Sequence, residues 1–267
     1  MDDRDRQNQA GHASSIEVRK ERRPAAFAPF KDIDCEASSD YEAITSTPEQ
    51  TLAILHELKP PEFALTLLIA ATALSISEAL GLQWADVEYP RSRIVVRRSW
   101  VDEIGGCKNV YRKAPVPLHP VLGSYLLQWQ RETPYGKPTD WVFASMKLKG
   151  KKPRCGSIAS QRYLYPAAVR AGVLQVTEER DKDGEILRTR YFDSNGNPVK
   201  RWGWHNLRHS LASWLVSSGV DVKTVSSLLR HSNVSTTLGI YSHAVDSNKL
   251  AAQGRFLSEL LPAGAVK

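Results

Sequence analysis

The run FALTLLIAATAL, residues 63–74, is the strongest constraint on how this chain folds. It is apolar on nearly every side, too short to cross a bilayer and interrupted by two threonines, so it reads as a helix buried within a domain. The residues before it supply start and stop signals. Thr47 suits an N-cap, Pro48 the first helical position and Gln50 the capping-box partner, so a helix opens at STPEQTLAILHEL. KPPE at 59–62 ends that helix and begins the apolar one.

Beyond LGLQWADVE the period changes from helical to two. RIVVRRSWV (93–101) and APVPL (114–118) read as strands joined through DEIGGCKNVYRK. Helical spacing returns in 119–133 and in 157–173, where Pro166 limits regularity. Residues 174–203 read as one or two hairpins, with DG and NG as turns. These acidic turns lack the glycine spacing and closing glutamate of a calcium loop, which argues against a metal there. From 204 onward the pattern is helical again. Leu207, Leu211, Trp214 and Leu215 form an apolar stripe, Gly219 is a terminator, and DVKTVSSLLRHS and NVSTTLGIYSHAV are two further helices. The expected fold is therefore mostly α with a small antiparallel sheet (α+β), plus a hairpin insertion at about 174–203. Residues 1–44 form a charged arm without periodicity, and 246–267 form a C-terminal amphipathic segment.

Charge is uneven along the 267 residues. Residues 1–45 carry seven basic and ten acidic side chains, whereas the whole chain is +7. Between Trp141 and Thr177 lie Lys147, Lys149, Lys151, Lys152, Arg154, Arg162 and Arg170 with no carboxylate. Such a stretch can neutralise several phosphates, and a solvated basic loop is the plainer reading of the same residues. The polar N-terminus has no hydrophobic leader and no segment is long enough to span a membrane, so a cytoplasmic protein with no membrane partner is expected. Cys35, Cys107 and Cys155 are too scattered for a disulfide framework or a thiolate metal site.

The candidate chemistry begins at WHNLRHSL, 204–211. His205 and Arg208 stand one turn apart on one side of a helix, off the apolar stripe. A planar guanidinium beside an imidazole suits a phosphate, through a bidentate fork and a further donor. An isolated pair of this kind reads equally as a helix cap and a surface ion pair. His205 and His209 have the spacing of a zinc site, but no glutamate lies between them and there is no third ligand, so no metal or other cofactor is expected. Downstream come His231 and Tyr241 in LLRHSNVSTTLGIYSH, and upstream Lys108 lies in the turn before RKAPVPL.

Together, TALSISEALGLQWADV, K…RKAPVPL, HNLRH and LLRHSNVSTTLGIYSH resemble the tyrosine recombinase (phage integrase) family in order and spacing. The resemblance covers about residues 45–245, which would be the catalytic domain. It implies metal-independent strand exchange on double-stranded DNA, with no small-molecule substrate. By this likeness Tyr241 is the nucleophile that forms a 3′-phosphotyrosyl link. Arg208 clamps the non-bridging oxygens, His205 and His231 hold the phosphate and assist proton transfer, and Lys108 protonates the leaving 5′-oxygen. The C-terminal segment, through Leu250, Phe256, Leu257 and Leu260, resembles the part that docks on a neighbouring subunit in a homo-oligomer on DNA; packing on its own domain is the alternative.

Two features depart from the family pattern. Its first arginine sits in G-L-R-x-S-E, whereas this chain reads Ala73, Leu74, Ser75, Ile76, Ser77, Glu78, which puts Ser75 at the arginine position. By analogy with an oxyanion-site donor, such a loss is about 3–4 kcal/mol in transition-state stabilisation. Arg230, where many members have glycine, is tied to a different helix and is not expected to replace it; Arg97, Arg98 and Arg112 are weaker candidates. In addition, only about 44 residues precede the domain, where the family carries a helical core-binding domain. Two functions thus stand side by side: a tyrosine recombinase, or a degenerate relative that binds DNA without cutting it.

Overall fold

The capping signals at Thr47 act as their chemistry requires. Helix α1, Pro48–His56, starts with Thr47 Oγ1 accepting from the Gln50 amide at 3.2 Å, while the Gln50 side chain accepts from the Thr47 amide at 2.9 Å. A computed structural model of the chain describes residues 44–101, 103–105, 114–199, 202–231 and 234. The expected arm, apart from Ile44, and the C-terminal segment with Leu250, Phe256, Leu257 and Leu260 lie outside the described residues, as do Cys35 and Cys107.

The apolar run becomes helix α2, Glu62–Thr72, with Leu65, Leu68 and Ile69 fully enclosed. Around it gather Phe143, Leu126, Leu164, Trp84 and Trp204, which form the main core. Burial of this many large side chains, each contributing roughly 1.5–3 kcal/mol, is what holds the helices around α2. The helix ends at Ala73, whose left-handed conformation (φ 55°) turns the chain into α3, Ile76–Leu80. A smaller cluster of Ala73, Ala212, Val216, Val225 and Leu229 lies at that turn.

The period-two region builds less sheet than its pattern suggests. Strands β1 (Val87–Glu88), β2 (Arg93–Ile94) and β5 (Val116–Pro117) make one antiparallel sheet in the order β1-β2-β5, with Ile94 opposite both Val87 and Val116. Strands β3 (Ser99–Val101) and β4 (Glu103–Gly105) form a separate pair. The expected continuous strand 93–101 is therefore broken, and Asp86 is the reason. Its buried carboxylate accepts from Arg97 at 2.5 Å and from Arg98 at 2.8 Å. Successive strand residues point to opposite faces, so two consecutive arginines reach one carboxylate only if the extended pairing is interrupted.

Helix α4, Pro120–Glu132, matches the expected span 119–133, with His119 as its N-cap. The 157–173 region is helical in three pieces: α5 (Gly156–Ala159), a π-helical segment Ser160–Leu164, and α6 (Tyr165–Arg170). The wider π turn precedes Pro166, which has no amide to donate and needs the ladder locally rearranged. Strands β6 (Gln175–Arg180) and β7 (Ile186–Phe192) then form the expected hairpin. Its turn uses Gly184 and a second turn, after β7, uses Gly196, both at φ 81°; Asp181 and Asp193 accept backbone amides of these two turns. At its base Tyr191 packs on Tyr165, whose hydroxyl donates to the Trp202 carbonyl at 2.6 Å.

Helix α7, Trp204–Ser217, packs against α2, and α8, Val222–Leu228, follows it. The inward face of α7 is rotated from the expected stripe. Leu207, Ala212 and Val216 are buried, but Trp214 is 48 % exposed. The rotation follows from Arg208, which occupies the inward face and is satisfied there by carbonyl oxygens on two neighbouring segments. Among the described residues no helix is long and apolar enough to cross a membrane.

Gly219 ends α7 at φ 85°, with its amide bonded to Val216 and the Val220 amide to Leu215, a Schellman arrangement. No neighbouring atom would obstruct a methyl group there, so Gly219→Ala is a test of backbone strain alone. The substitution is expected to lower stability by about 1 kcal/mol, seen as a reduced urea midpoint at constant slope. An unchanged midpoint would contradict the assignment.

Candidate active site

The site is built on the first turns of α7, which are fastened from several directions. Asn206 Nδ2 donates to the Ile44 carbonyl at 2.9 Å, and Ser210 Oγ accepts the Ser46 amide at 2.8 Å. Trp204 Nε1 donates to the Gly156 carbonyl at 3.3 Å. These bonds tie the helix to the chain before α1 and to α5, which fixes the orientation of everything that α7 carries.

Arg208 is 3 % exposed. Nη1 donates to the Ala73 carbonyl at 2.5 Å and Nη2 to the Leu229 carbonyl. The first acceptor lies at the turn between α2 and α3, the second at the end of α8. A guanidinium bound at two ends cannot swing, and a fixed fork of N–H donors needs little reorganisation to receive an anion.

The imidazoles surround this arginine. His205 is exposed on α7, and its ring meets the His209 ring edge-on at 4.5 Å between centroids. His209 is buried, and burial, reinforced by His205, Arg208 and His231, lowers its pKa from 6.5 to about 4. It is therefore neutral at physiological pH. His231 follows α8, half-buried, with its amide bonded to the Ser226 carbonyl at 3.1 Å. His209 thus meets the ring of His205 and feels the charges of Arg208 and His231, which places the four near one another. Sequence reasoning weighed His209 only as half of a zinc pair; its signal was its place directly after Arg208 on an inward face.

Ser75 is the N-cap of α3. Its Oγ accepts from the Glu78 amide at 3.4 Å, and Glu78 Oε2 accepts from the Ser75 amide at 2.9 Å. The same Oε2 receives Arg230 Nη2 at 2.8 Å, and both side chains of this ion pair are 3 % exposed. Arg230 thus reaches across to α3 from the end of a different helix. The cause is its backbone: at φ 54° it turns out of α8 toward the α2–α3 junction. The other arginines proposed for the vacant position are engaged elsewhere. Arg97 and Arg98 serve Asp86, and Arg98 also meets the Gly81 carbonyl at the far end of α3. Arg112, Lys108 and Tyr241 lie outside the described residues.

Of the basic stretch, Lys147, Lys149, Lys151, Lys152 and Arg162 are exposed. The four lysines lie on a compact turn closed by the Ser145 amide bonding to the Lys152 carbonyl at 2.8 Å. Arg154 differs, since it pairs with Glu62 at the start of α2. Burial raises the Glu62 pKa while Arg154 pulls it down, so this arginine balances a charge within the fold. Among the described residues no group of three or more His, Cys, Asp or Glu could hold a metal ion.

His209 makes stability depend on acid. Its pKa is lower in the folded chain than in the unfolded one, so the unfolded state takes up the proton first. The penalty is absent above pH 6.5, grows as pH falls, and is complete below about 4. It amounts to roughly 3 kcal/mol. The urea midpoint is expected to decline across this window in the natural chain and more gently in His209→Gln; equal slopes would contradict the assignment.

Comparison with known proteins follows the same lines. Residues 39–248 match the model of the phage integrase family. A tyrosine recombinase XerC-like protein of Caldanaerobacter subterraneus subsp. tengcongensis is 28 % identical over 240 residues, covering 81 % of this chain and 54 % of its own. An integrase/recombinase of Escherichia coli is 29 % identical over 211 residues, covering 76 % and 60 %. The chain thus spans little more than half the length of these relatives. In fold it is similar to the Tn1549 transposon integrase, solved in complex with circular intermediate DNA, at a TM-score of 0.60 and 17 % identity over 82 % of this chain and 68 % of that one.

Proposed function

This chain belongs to the phage integrase family, with the tyrosine recombinase catalytic-domain fold, and we propose that it recombines DNA site-specifically through a 3′-phosphotyrosyl intermediate at Tyr241. The supporting observation is the convergence of Arg208, His205, His209 and His231 at the junction of α2, α7 and α8. A buried, immobilised guanidinium among imidazoles is the equipment a phosphodiester requires as it gains charge.

In the proposed step, Tyr241 Oη gives its proton to an imidazole of the His205 and His231 pair and attacks the scissile phosphorus. The phosphorus–O5′ bond breaks, the 5′-oxygen leaves with a proton from Lys108, and the reverse attack returns both protons. A 5′-hydroxyl of another strand then attacks the phosphotyrosyl group and restores both the phosphodiester and the phenol. Each cleaved ester bond is replaced by another, so no energy source or cofactor is needed. A phenol has a pKa near 10, and the surrounding donors lower the barrier by accepting charge on the non-bridging oxygens. Arg208 clamps those oxygens, and His205 and His231 donate to them and relay protons. His209, held neutral by burial, backs Arg208 without adding charge. The reaction takes place on double-stranded DNA in the cytoplasm, with the C-terminal segment joining copies of the chain.

A second reading, a relative that binds DNA without cutting it, draws its support from Ser75, whose hydroxyl is engaged in capping α3. Incubation with a pool of nicked duplexes of randomised core sequence separates the two readings. A detergent-stable protein–DNA adduct is expected, absent in Tyr241→Phe and reduced about a hundred- to a thousand-fold in rate in Arg208→Ala. An adduct that survives Tyr241→Phe would refute the nucleophile.

The exposed turn at 147–152 serves non-covalent grip. Replacing Lys147, Lys149, Lys151 and Lys152 with alanine is expected to weaken binding to all sequences alike and to reduce the salt slope by about 3. An unchanged slope would remove these lysines from the DNA surface.

A further inference from the structure

We propose that Arg230 is a catalytic residue: its guanidinium, delivered from the end of α8, is the second clamp on the scissile phosphate and supplies from another helix what Ser75 lacks. The inference rests on the reading of Tyr241 as the nucleophile at a DNA phosphodiester.

Three observations carry it. The first is backbone conformation. Arg230 stands just past the end of α8, where its amide bonds to Ser227 and that of His231 to Ser226, a Schellman arrangement. This is the position that glycine fills most readily, since a side chain crowds its own backbone in the left-handed conformation. A helix terminator has no use for an arginine. Nor does the ion pair with Glu78 give a sufficient structural reason, because a buried pair is seldom better than apolar packing.

The second is charge. The buried carboxylates among the described residues are Glu62, Glu78 and Asp86. Glu62 is paired with Arg154, and Asp86 with Arg97 and Arg98. That leaves Glu78, paired with Arg230, as the buried carboxylate described at a junction that also holds the Arg208 guanidinium. Among the described buried side chains the junction thus sets two guanidiniums against one carboxylate, a formal charge of +1. An anion with a single negative charge, such as a phosphodiester, balances it.

Position is the third observation. Arg208 holds the carbonyls of Ala73 and Leu229, two residues before Ser75 and one before Arg230. Arg230 in turn holds Glu78, which bonds the Ser75 amide. The two guanidiniums thus flank one α3 N-terminus, and His231 adjoins the second of them.

The test uses the full chain and the same randomised pool of nicked duplexes. Arg230→Gly combined with Glu78→Gln removes the guanidinium while retaining a favourable left-handed residue and a capping-box partner. The expected result is a cooperative unfolding transition and pool affinity within a few-fold of the natural chain, with adduct formation slowed a hundred- to a thousand-fold. Adding Ser75→Arg to that background is expected to recover most of the rate. Arg230→Lys, which keeps the charge but loses the planar fork, is expected to lose at least about tenfold, and it carries the test if the double variant does not fold. A natural adduct rate in Arg230→Lys and in the double variant overturns the proposal. So does a natural chain that forms no adduct while Ser75→Arg alone forms one lost in Tyr241→Phe; that result leaves the Tyr241 reading intact. If no variant forms a Tyr241-dependent adduct, the reading itself fails and Arg230 has no phosphate to hold.

Discussion

The Arg208 guanidinium joins three segments: the turn after α2, the helix α7 that carries it, and the end of α8. Its two carbonyl acceptors are among those that helix ends leave without an intrahelical partner, so the contact satisfies both sides at once. It also sets the rotation of α7. With Arg208 turned inward, Leu207 and Val216 are buried, Trp214 faces outward, and His205 and His209 are held at the rim and the interior of the same junction. Loss of this side chain would leave two carbonyls without their donor, so the proposed phosphate clamp is also a structural tie.

Electrostatics at the junction follow from that geometry. Burial does most to keep His209 uncharged, and the positive groups around it do the rest. On the proposed reading this bias is useful. A site that already holds its donors in place meets the growing negative charge of a phosphoryl transfer with little rearrangement. The vacancy at Ser75 is then a matter of which helix provides the second guanidinium.

Much of this was legible in the sequence where the signal is local. Thr47, Pro48 and Gln50 announced α1, Gly219 the end of α7, and the DG and NG turns the hairpin, because each depends on residues a few positions apart. The spacing of His205 and Arg208 likewise put both on the first turns of α7, whereas His231 was added by the family resemblance. Features set by tertiary contact were not legible. The strand at 93–101 breaks because Asp86 draws in Arg97 and Arg98, and the stripe on α7 rotates because Arg208 finds acceptors on two other segments. Arg230, too, was not legible as the partner of Glu78. Its reach depends on one left-handed residue, and only the packed positions of α3 and α8 reveal where that turn leads.

The central claim is that two guanidiniums from different helices meet one phosphate. A structure of the chain trapped on DNA through Tyr241 tests it most directly. The account predicts non-bridging oxygens about 2.7–2.9 Å from nitrogens of both Arg208 and Arg230. A phosphate gripped by Arg208 while Arg230 stays on Glu78, turned away from the DNA, would contradict it.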